Sequence, residues 1–204
     1  IHNFLILNAE PLGYSDDAYG MLSSIGSVLN KQCDRNDLIA LIPEADVLIV
    51  RLGNKIDKEI LSKAKKLKVI VTATTGLNHI DLEAADSYGV KVLSLKGERN
   101  FLDTLTATAE LTWSLLLALY RNLPAAIKHV KNEKWDRDLF KGSQLKGKTL
   151  GIIGYGRLGS IVAEYAKVFK MNIVVTDPFV DNVPIDIQKV SLSELLQRSD
   201  IVSL

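Results

Sequence analysis

The sequence predicts an α/β fold built on parallel sheets and divided between two domains. Three observations carry that prediction. Short apolar runs of strand length alternate with amphipathic stretches of helix length through the first hundred residues. A long, almost wholly apolar stretch follows around residue 110. The alternation then resumes at Thr149, this time around a glycine-rich turn. The expected domains are 1–101 and 102–204, with the second sheet incomplete at its C-terminal side.

In the first region the strand candidates are Phe4–Asn8, Val47–Val50, Val69–Thr72 and Val90–Leu95. Asp57 can cap a helix carrying Ile60, Leu61, Ala64 and Leu67 on one face, and Asp81 can cap another carrying Leu82, Ala84 and Ala85. The stretch from Cys33 to Ile42 reads as a short strand and a helix. A long helix is expected over 103–121; being apolar on nearly every side, it is expected to be buried on nearly every side, as at a junction between domains. Asn122-Leu123-Pro124 ends it, because the residue before proline is pushed out of the helical region. A second helix from about Pro124 to Asn132 leads into a polar loop with Trp135, Phe140, Gly142 and Gly147. Beyond it come a strand at Leu150–Ile153, a helix from Arg157 to Lys170, a strand at Ile173–Thr176, a short helix capped by Ser191 or Ser193, and a strand beginning at Ile201. The sequence opens on Ile1 and closes within that strand, so a portion of a longer chain is expected.

The bulk numbers remove several classes of function. With 204 residues, 47% hydrophobic and 24% charged, the profile is that of an ordinary globular protein. A net charge of +1 calls for neither nucleic acid nor an anionic membrane as partner. Cys33 is the only cysteine, which excludes an internal disulfide and a cysteine-rich zinc site and makes a reducing, cytoplasmic setting the default. The most apolar run, Leu111–Tyr120, contains Thr112 and Ser114 and is about half the roughly 20 residues needed to span a bilayer, so it reads as a buried helix. No basic start, apolar run and small-residue cleavage site marks a leader. The expected partner is a small molecule, with no metal.

The motif that carries chemistry is G-x-G-x-x-G at Gly154, Gly156 and Gly159, within Gly151-Ile152-Ile153-Gly154-Tyr155-Gly156-Arg157-Leu158-Gly159. Gly154 permits the tight turn out of the strand, Gly156 leaves room for a pyrophosphate against the backbone, and Gly159 lets the helix pack closely on the strand. The helix N-terminus turns free N–H groups and a partial positive charge toward the phosphates. Alone the pattern is weak, but a strand precedes it, an amphipathic helix follows it, and Asp177 ends the next strand near the expected spacing of about 20 residues. A carboxylate there accepts hydrogen bonds from ribose hydroxyls and repels a 2′-phosphate, so NAD is expected over NADP. Tyr155, Arg157 and Leu158 complete the candidate loop, with Arg157 suited to the pyrophosphate.

The order of parts resembles the D-isomer-specific 2-hydroxyacid dehydrogenases, nearest their phosphoglycerate dehydrogenase branch. The resemblance rests on Val50-Arg51, on Thr75-Gly76-Leu77-Asn78-His79-Ile80-Asp81, on Ala107-Thr108-Ala109-Glu110 with Leu115–Arg121, on Trp135, on Gly147-Lys148-Thr149-Leu150-Gly151 and on Asp177-Pro178, and covers roughly residues 45–204. It implies a flavodoxin-like substrate domain followed by a partial Rossmann domain, with hydride transfer between nicotinamide and C2 of a 2-hydroxy or 2-keto acid of 3-phosphoglycerate type. It further implies that Gly76 and Leu77 offer backbone N–H groups to the substrate carboxylate, that Arg51, with Lys55, meets a substrate phosphate, and that Thr108 lies near the nicotinamide, although Thr108 and Leu111 replace the usual Val and His. The family's acid/base His, its carboxylate partner and its substrate Arg fall after the last strand of this sequence, so no catalytic residue is assigned and the residues given are expected to be inactive alone. His2, His79 and His129 read as a terminal, a turn and a solvated histidine. A homodimer is implied, with Pro124–Phe140 as a candidate surface. The alternative is an NAD-sensing, corepressor-like interaction module on the same fold; an adenosylhomocysteinase-like enzyme is disfavoured by the short first domain and the 75–81 turn.

Overall fold

The computed structural model describes residues 4–204, so His2 lies outside the described residues. The chain divides into two compact units, Ile1–Arg99 and Asn100–Leu204.

The first unit alternates β1 (Phe4–Asn8), α1 (Asp16–Ile25), β2 (Gly26–Asn30), α2 (Arg35–Leu41), β3 (Val47–Val50), α3 (Lys58–Lys63), β4 (Val69–Thr72), α4 (Leu82–Ser87) and β5 (Lys91–Ser94). All its strands are parallel, in the order β2-β1-β3-β4-β5, which is the flavodoxin-like arrangement. Leu7, Leu48 and Ile70 share one row across the sheet and are almost fully buried, each stabilising the unit by about 1.5–3 kcal/mol before entropy is counted. Asp57 and Asp81 cap α3 and α4 as the sequence predicts, accepting from the Ile60 and Ala84 N–H groups at 3.2 and 2.9 Å. Helix α3 stops before Ala64 and Leu67, although Leu67 is still buried.

The first 45 residues depart from expectation. The strand sought within Cys33–Ile42 lies earlier, at β2, and only the helix falls in that window. Helix α1, capped by Ser15, has no buried residue. Its apolar residues Ala18, Met21, Leu22 and Ile25 stand at helical spacing, but Met21 and Ile25 are left exposed.

Helix α5 (Arg99–Leu102) spans the boundary between the units. The second unit continues with α6 (Ala107–Tyr120), α7 (Leu123–Lys131), β6 (Thr149–Ile153), α8 (Arg157–Val168), β7 (Asn172–Thr176), β8 (Gln188–Lys189), α9 (Leu192–Arg198) and β9 (Ile201–Ser203). Its strands are parallel in the order β8-β7-β6-β9, matching the first four positions, 3-2-1-4, of a Rossmann sheet. Strand β8, two residues long, carries no apolar alternation and escapes sequence reading.

The expectation that the long helix is buried on nearly every side is corrected. Helix α6 starts at Ala107 and buries one stripe, Ala109, Trp113 and Leu116, while Leu111, Leu115 and Leu119 are 58%, 63% and 76% exposed. A helix apolar all round gives no direction to its own packing; the partner chooses the face. Here the partner is α8: the Trp113 Nε1–H donates to the Val162 carbonyl at 3.3 Å, and the indole stacks on Phe169 at 4.7 Å between centroids. Among the described residues no helix is long and apolar enough to cross a membrane.

Candidate functional site

The glycine-rich turn joins β6 to α8. Gly154 has φ of +96°, a conformation that a side chain would strain. Gly156 is the N-cap of α8, and no side chain caps the helix there. The first N–H groups of a helix have no partner inside it, so this start presents uncapped donors and the positive end of the helix dipole. A Cβ on Gly156 would meet nothing within 4 Å, whereas one on Gly159 would lie 2.1 Å from the Gly154 carbonyl oxygen. Gly159 is therefore required by the fold and Gly156 leaves space open beside the helix start.

Asp177 follows β7. Its Oδ2 accepts from the Tyr155 N–H at 2.8 Å and its Oδ1 from the Phe179 N–H at 2.7 Å. The Phe179 N–H above all, with the Tyr155 and Val180 N–H groups, holds the carboxyl below the usual range and keeps it ionised. Each oxygen keeps a further lone-pair direction, since an ionised carboxylate has about four acceptor sites. The Tyr155 side chain turns into the core, so this residue serves the loop through its backbone. Arg157 sends its guanidinium to the segment before α6: Nη1 donates to the carbonyls of Leu102 and Leu105 at 2.8 and 2.9 Å. Thr108 is exposed on the first turn of α6, its carbonyl accepting from the Thr112 hydroxyl.

In the first unit, polar groups gather at the carboxyl ends of β1, β3 and β4. Glu10, Arg51, Leu52, Gly53, Ala73 and Thr74 line a cleft of ≈ 380 Å³. Arg51 is exposed, with Nη1 donating to the Leu12 carbonyl at 3.1 Å. The turn holding Gly76 and Leu77 is shaped by the Thr74 hydroxyl, which donates to the Gly76 carbonyl, and by the Ile80 N–H, which donates to the Leu77 carbonyl. A bridge of Ile56 with Ile80 ties this turn to the loop after β3. His79 lies beneath, its Nε2 3.4 Å from the Thr72 hydroxyl and its Nδ1 buried without a partner; burial pushes its pKa down and favours the neutral ring. Sequence reading missed Glu10 and Asn54, both buried here. The available signal was position: Glu10 stands two residues past an apolar strand of a parallel sheet, where ligands bind.

Comparison with known proteins bears directly on this arrangement. The family model described as D-isomer specific 2-hydroxyacid dehydrogenase, NAD binding domain, matches residues 113–204. The D-3-phosphoglycerate dehydrogenase of Methanocaldococcus jannaschii is 39% identical over 204 residues, 98% of this chain and 38% of that protein. The chain belongs to the D-isomer-specific 2-hydroxyacid dehydrogenase family.

Two further members of the dehydrogenase family's neighbourhood illustrate the match. The hydroxypyruvate reductase of Thermotoga maritima is 37% identical over 177 residues, 87% of this chain and 56% of that protein. The crystal structure of D-lactate dehydrogenase from Aquifex aeolicus, complexed with NAD and lactic acid, superposes with a TM-score of 0.84 at 28% identity, covering 98% of this chain and 60% of that one. The chain thus spans between 38% and 60% of the length of these three relatives. The match to the family's NAD binding domain covers residues 113–204 of the second unit, and both Gly154–Gly159 and Asp177 fall inside the matched residues.

Proposed function

We propose that this protein is an NAD-dependent oxidoreductase acting at C2 of small 2-hydroxy or 2-keto acids, 3-phosphoglycerate-like acids among them. The observation that carries the reading is the coupling, through the Tyr155 N–H, of an uncapped helix start at Gly156–Arg157 to an ionised carboxylate at Asp177, groups whose chemistry suits the diphosphate and the ribose of one dinucleotide. Bound NAD would supply the hydride acceptor at its nicotinamide ring. The uncapped N–H groups of α8 would hold the diphosphate, and Gly156 would let it approach. Asp177 would accept from the adenosine ribose hydroxyls and, being anionic, disfavour a 2′-phosphate.

In the first unit the Gly76–Leu77 turn would hold the substrate carboxylate through backbone N–H groups, with Arg51 adding a positive charge. The proton of the substrate oxygen requires a general acid/base. His129 packs edge-on against Phe140, and His79 is held under Thr72 with a depressed pKa. Residues 1–204 by themselves are therefore proposed to bind NAD without turning over a keto acid. Association of two copies through Pro124–Phe140 is proposed as well: Trp135 is 88% and Leu139 64% exposed there. The deciding experiment is a calorimetric titration of the full-length protein with NADH and NADPH, paired with NADH oxidation by 2-keto acids. Tight NADH binding with turnover is expected; absence of both would reject the reading.

A further inference from the structure

We propose that Glu10 is a specificity-determining residue that selects a 2-keto or 2-hydroxy acid whose tail ends in an uncharged hydroxyl over one whose tail ends in phosphate. The proposal rests on the dehydrogenase reading and narrows its substrate class, placing the 3-phosphoglycerate-like acids of that reading second to acids with a free hydroxyl tail.

The first sheet reverses its strand order between β1 and β3, and the crevice at the carboxyl ends of such a pair is where open parallel sheets take ligands. The cleft of ≈ 380 Å³ opens there, with Glu10 on the β1 side and Arg51, Leu52 and Gly53 on the β3 side. Glu10 is only 8% exposed yet lines that cleft. It is held from both oxygens: Oε2 accepts from the Gly53 N–H at 3.1 Å and Oε1 from Asn54 Nδ2 at 3.2 Å. Asn54 is itself buried and donates also to the Cys33 carbonyl at 3.2 Å, so the clamp is anchored in the core. Any residue larger than glycine at position 53 would set its Cβ 3.1 Å from Oε2 and 3.3 Å from Cδ of Glu10. Glycine at this point allows the carboxylate to sit against the loop.

The chemical consequence follows from what a carboxylate can do. The Gly53 N–H, which the loop would otherwise offer to an incoming anion, already serves an internal one. The carboxylate only accepts hydrogen bonds, and its spare lone pairs suit a substrate hydroxyl. A phosphate brings no donor when fully ionised and would place like charges together in a partly desolvated cleft. Arg51, hydrogen-bonded to the Leu12 carbonyl, lines the same cleft, so one cation and one carboxylate share it and the lining is not purely cationic.

The test is a ratio: kcat/KM for hydroxypyruvate over kcat/KM for 3-phosphohydroxypyruvate, measured on the full-length protein with saturating NADH. The wild type is expected to favour hydroxypyruvate by about tenfold or more, and Glu10→Gln to lower the ratio by about tenfold. A purely structural role would depress both substrates together and leave the ratio alone, and that result overturns the proposal. So does a wild type that prefers the phosphorylated acid. If Glu10→Gln does not fold, the wild-type ratio is followed from low to high salt: a fall supports screened repulsion, and a constant or rising ratio overturns it. Turnover of neither acid, with NADH still bound by calorimetry, sinks the substrate inference and the oxidoreductase reading while leaving the cofactor site. Turnover of both acids without discrimination sinks the inference alone.

Discussion

The backbone N–H of Tyr155 donates to the Asp177 carboxylate at 2.8 Å, so the loop proposed to hold the diphosphate and the carboxylate proposed to hold the ribose are one hydrogen-bonded unit. Asp177→Ala should therefore act twice, by removing a ribose acceptor and by releasing the loop. A loss of NADH affinity of about tenfold to a hundredfold is expected, comparable to one or two hydrogen bonds to a charged group, and the preference for NADH over NADPH should shrink. Calorimetric titration with both dinucleotides checks this; an unchanged preference would remove Asp177 from the cofactor site.

The glycines of the turn should separate stability from binding. Gly159→Ala forces a Cβ to within 2.1 Å of the Gly154 carbonyl oxygen, and overpacking of this kind costs about 1–3 kcal/mol. Gly156→Ala meets no protein atom within 4 Å. Its melting temperature should stay within a degree or two of wild type by the usual size of surface effects, while NADH binding weakens because the methyl occupies the approach to the helix start. Thermal melts beside titrations distinguish the two variants.

Arg157 ties the start of α8 to the Leu102 and Leu105 carbonyls. Arg157→Ala should destabilise the second unit by about 1.5 kcal/mol, the lower end for charge-assisted hydrogen bonds, even without cofactor. Chemical denaturation of the apoprotein reads this directly. Destabilisation seen only when NAD is present would mean that the guanidinium serves the ligand and not the 102–105 segment.

Each unit carries an aspartate, just before one strand, that grips the first residues of the neighbouring strand. Asp46 accepts from the Leu5 N–H at 3.0 Å and pairs with Lys68; Asp200 accepts from the Thr149 N–H at 2.8 Å and pairs with Lys148. The strand N–H, then the lysine, lowers each pKa from 3.8. A depressed folded-state pKa means that the stabilisation is fully present above the unfolded value and is lost as pH falls through the folded one. Urea midpoints should hold from pH 7 to pH 5 and drop below pH 4, and Asp46→Asn should flatten that drop. An equal acid sensitivity in the variant would show that other carboxylates control it.

Much of the fold was legible because parallel strands buried on both faces read as continuous apolar runs. Val47–Val50, Val69–Thr72 and the glycine turn need only local residues to be recognised, and the helix caps at Asp57, Asp81 and Ser191 depend on partners three residues away. What escaped was non-local. The strand β2 is half exposed and weakly patterned, and Glu10 meets Gly53 across 43 positions of sequence.

The amino-acid order by itself determined the alternation of strand and helix, the turn at Gly154–Gly159 and the acid at Asp177, because period, glycine spacing and capping act over a few residues. Only the tertiary structure decided which stripe of α6 is covered, where the Arg157 guanidinium goes and that a carboxylate stands in the cleft of the first unit. Those outcomes depend on which distant elements become neighbours, and that is set by strand order and packing rather than by any local pattern.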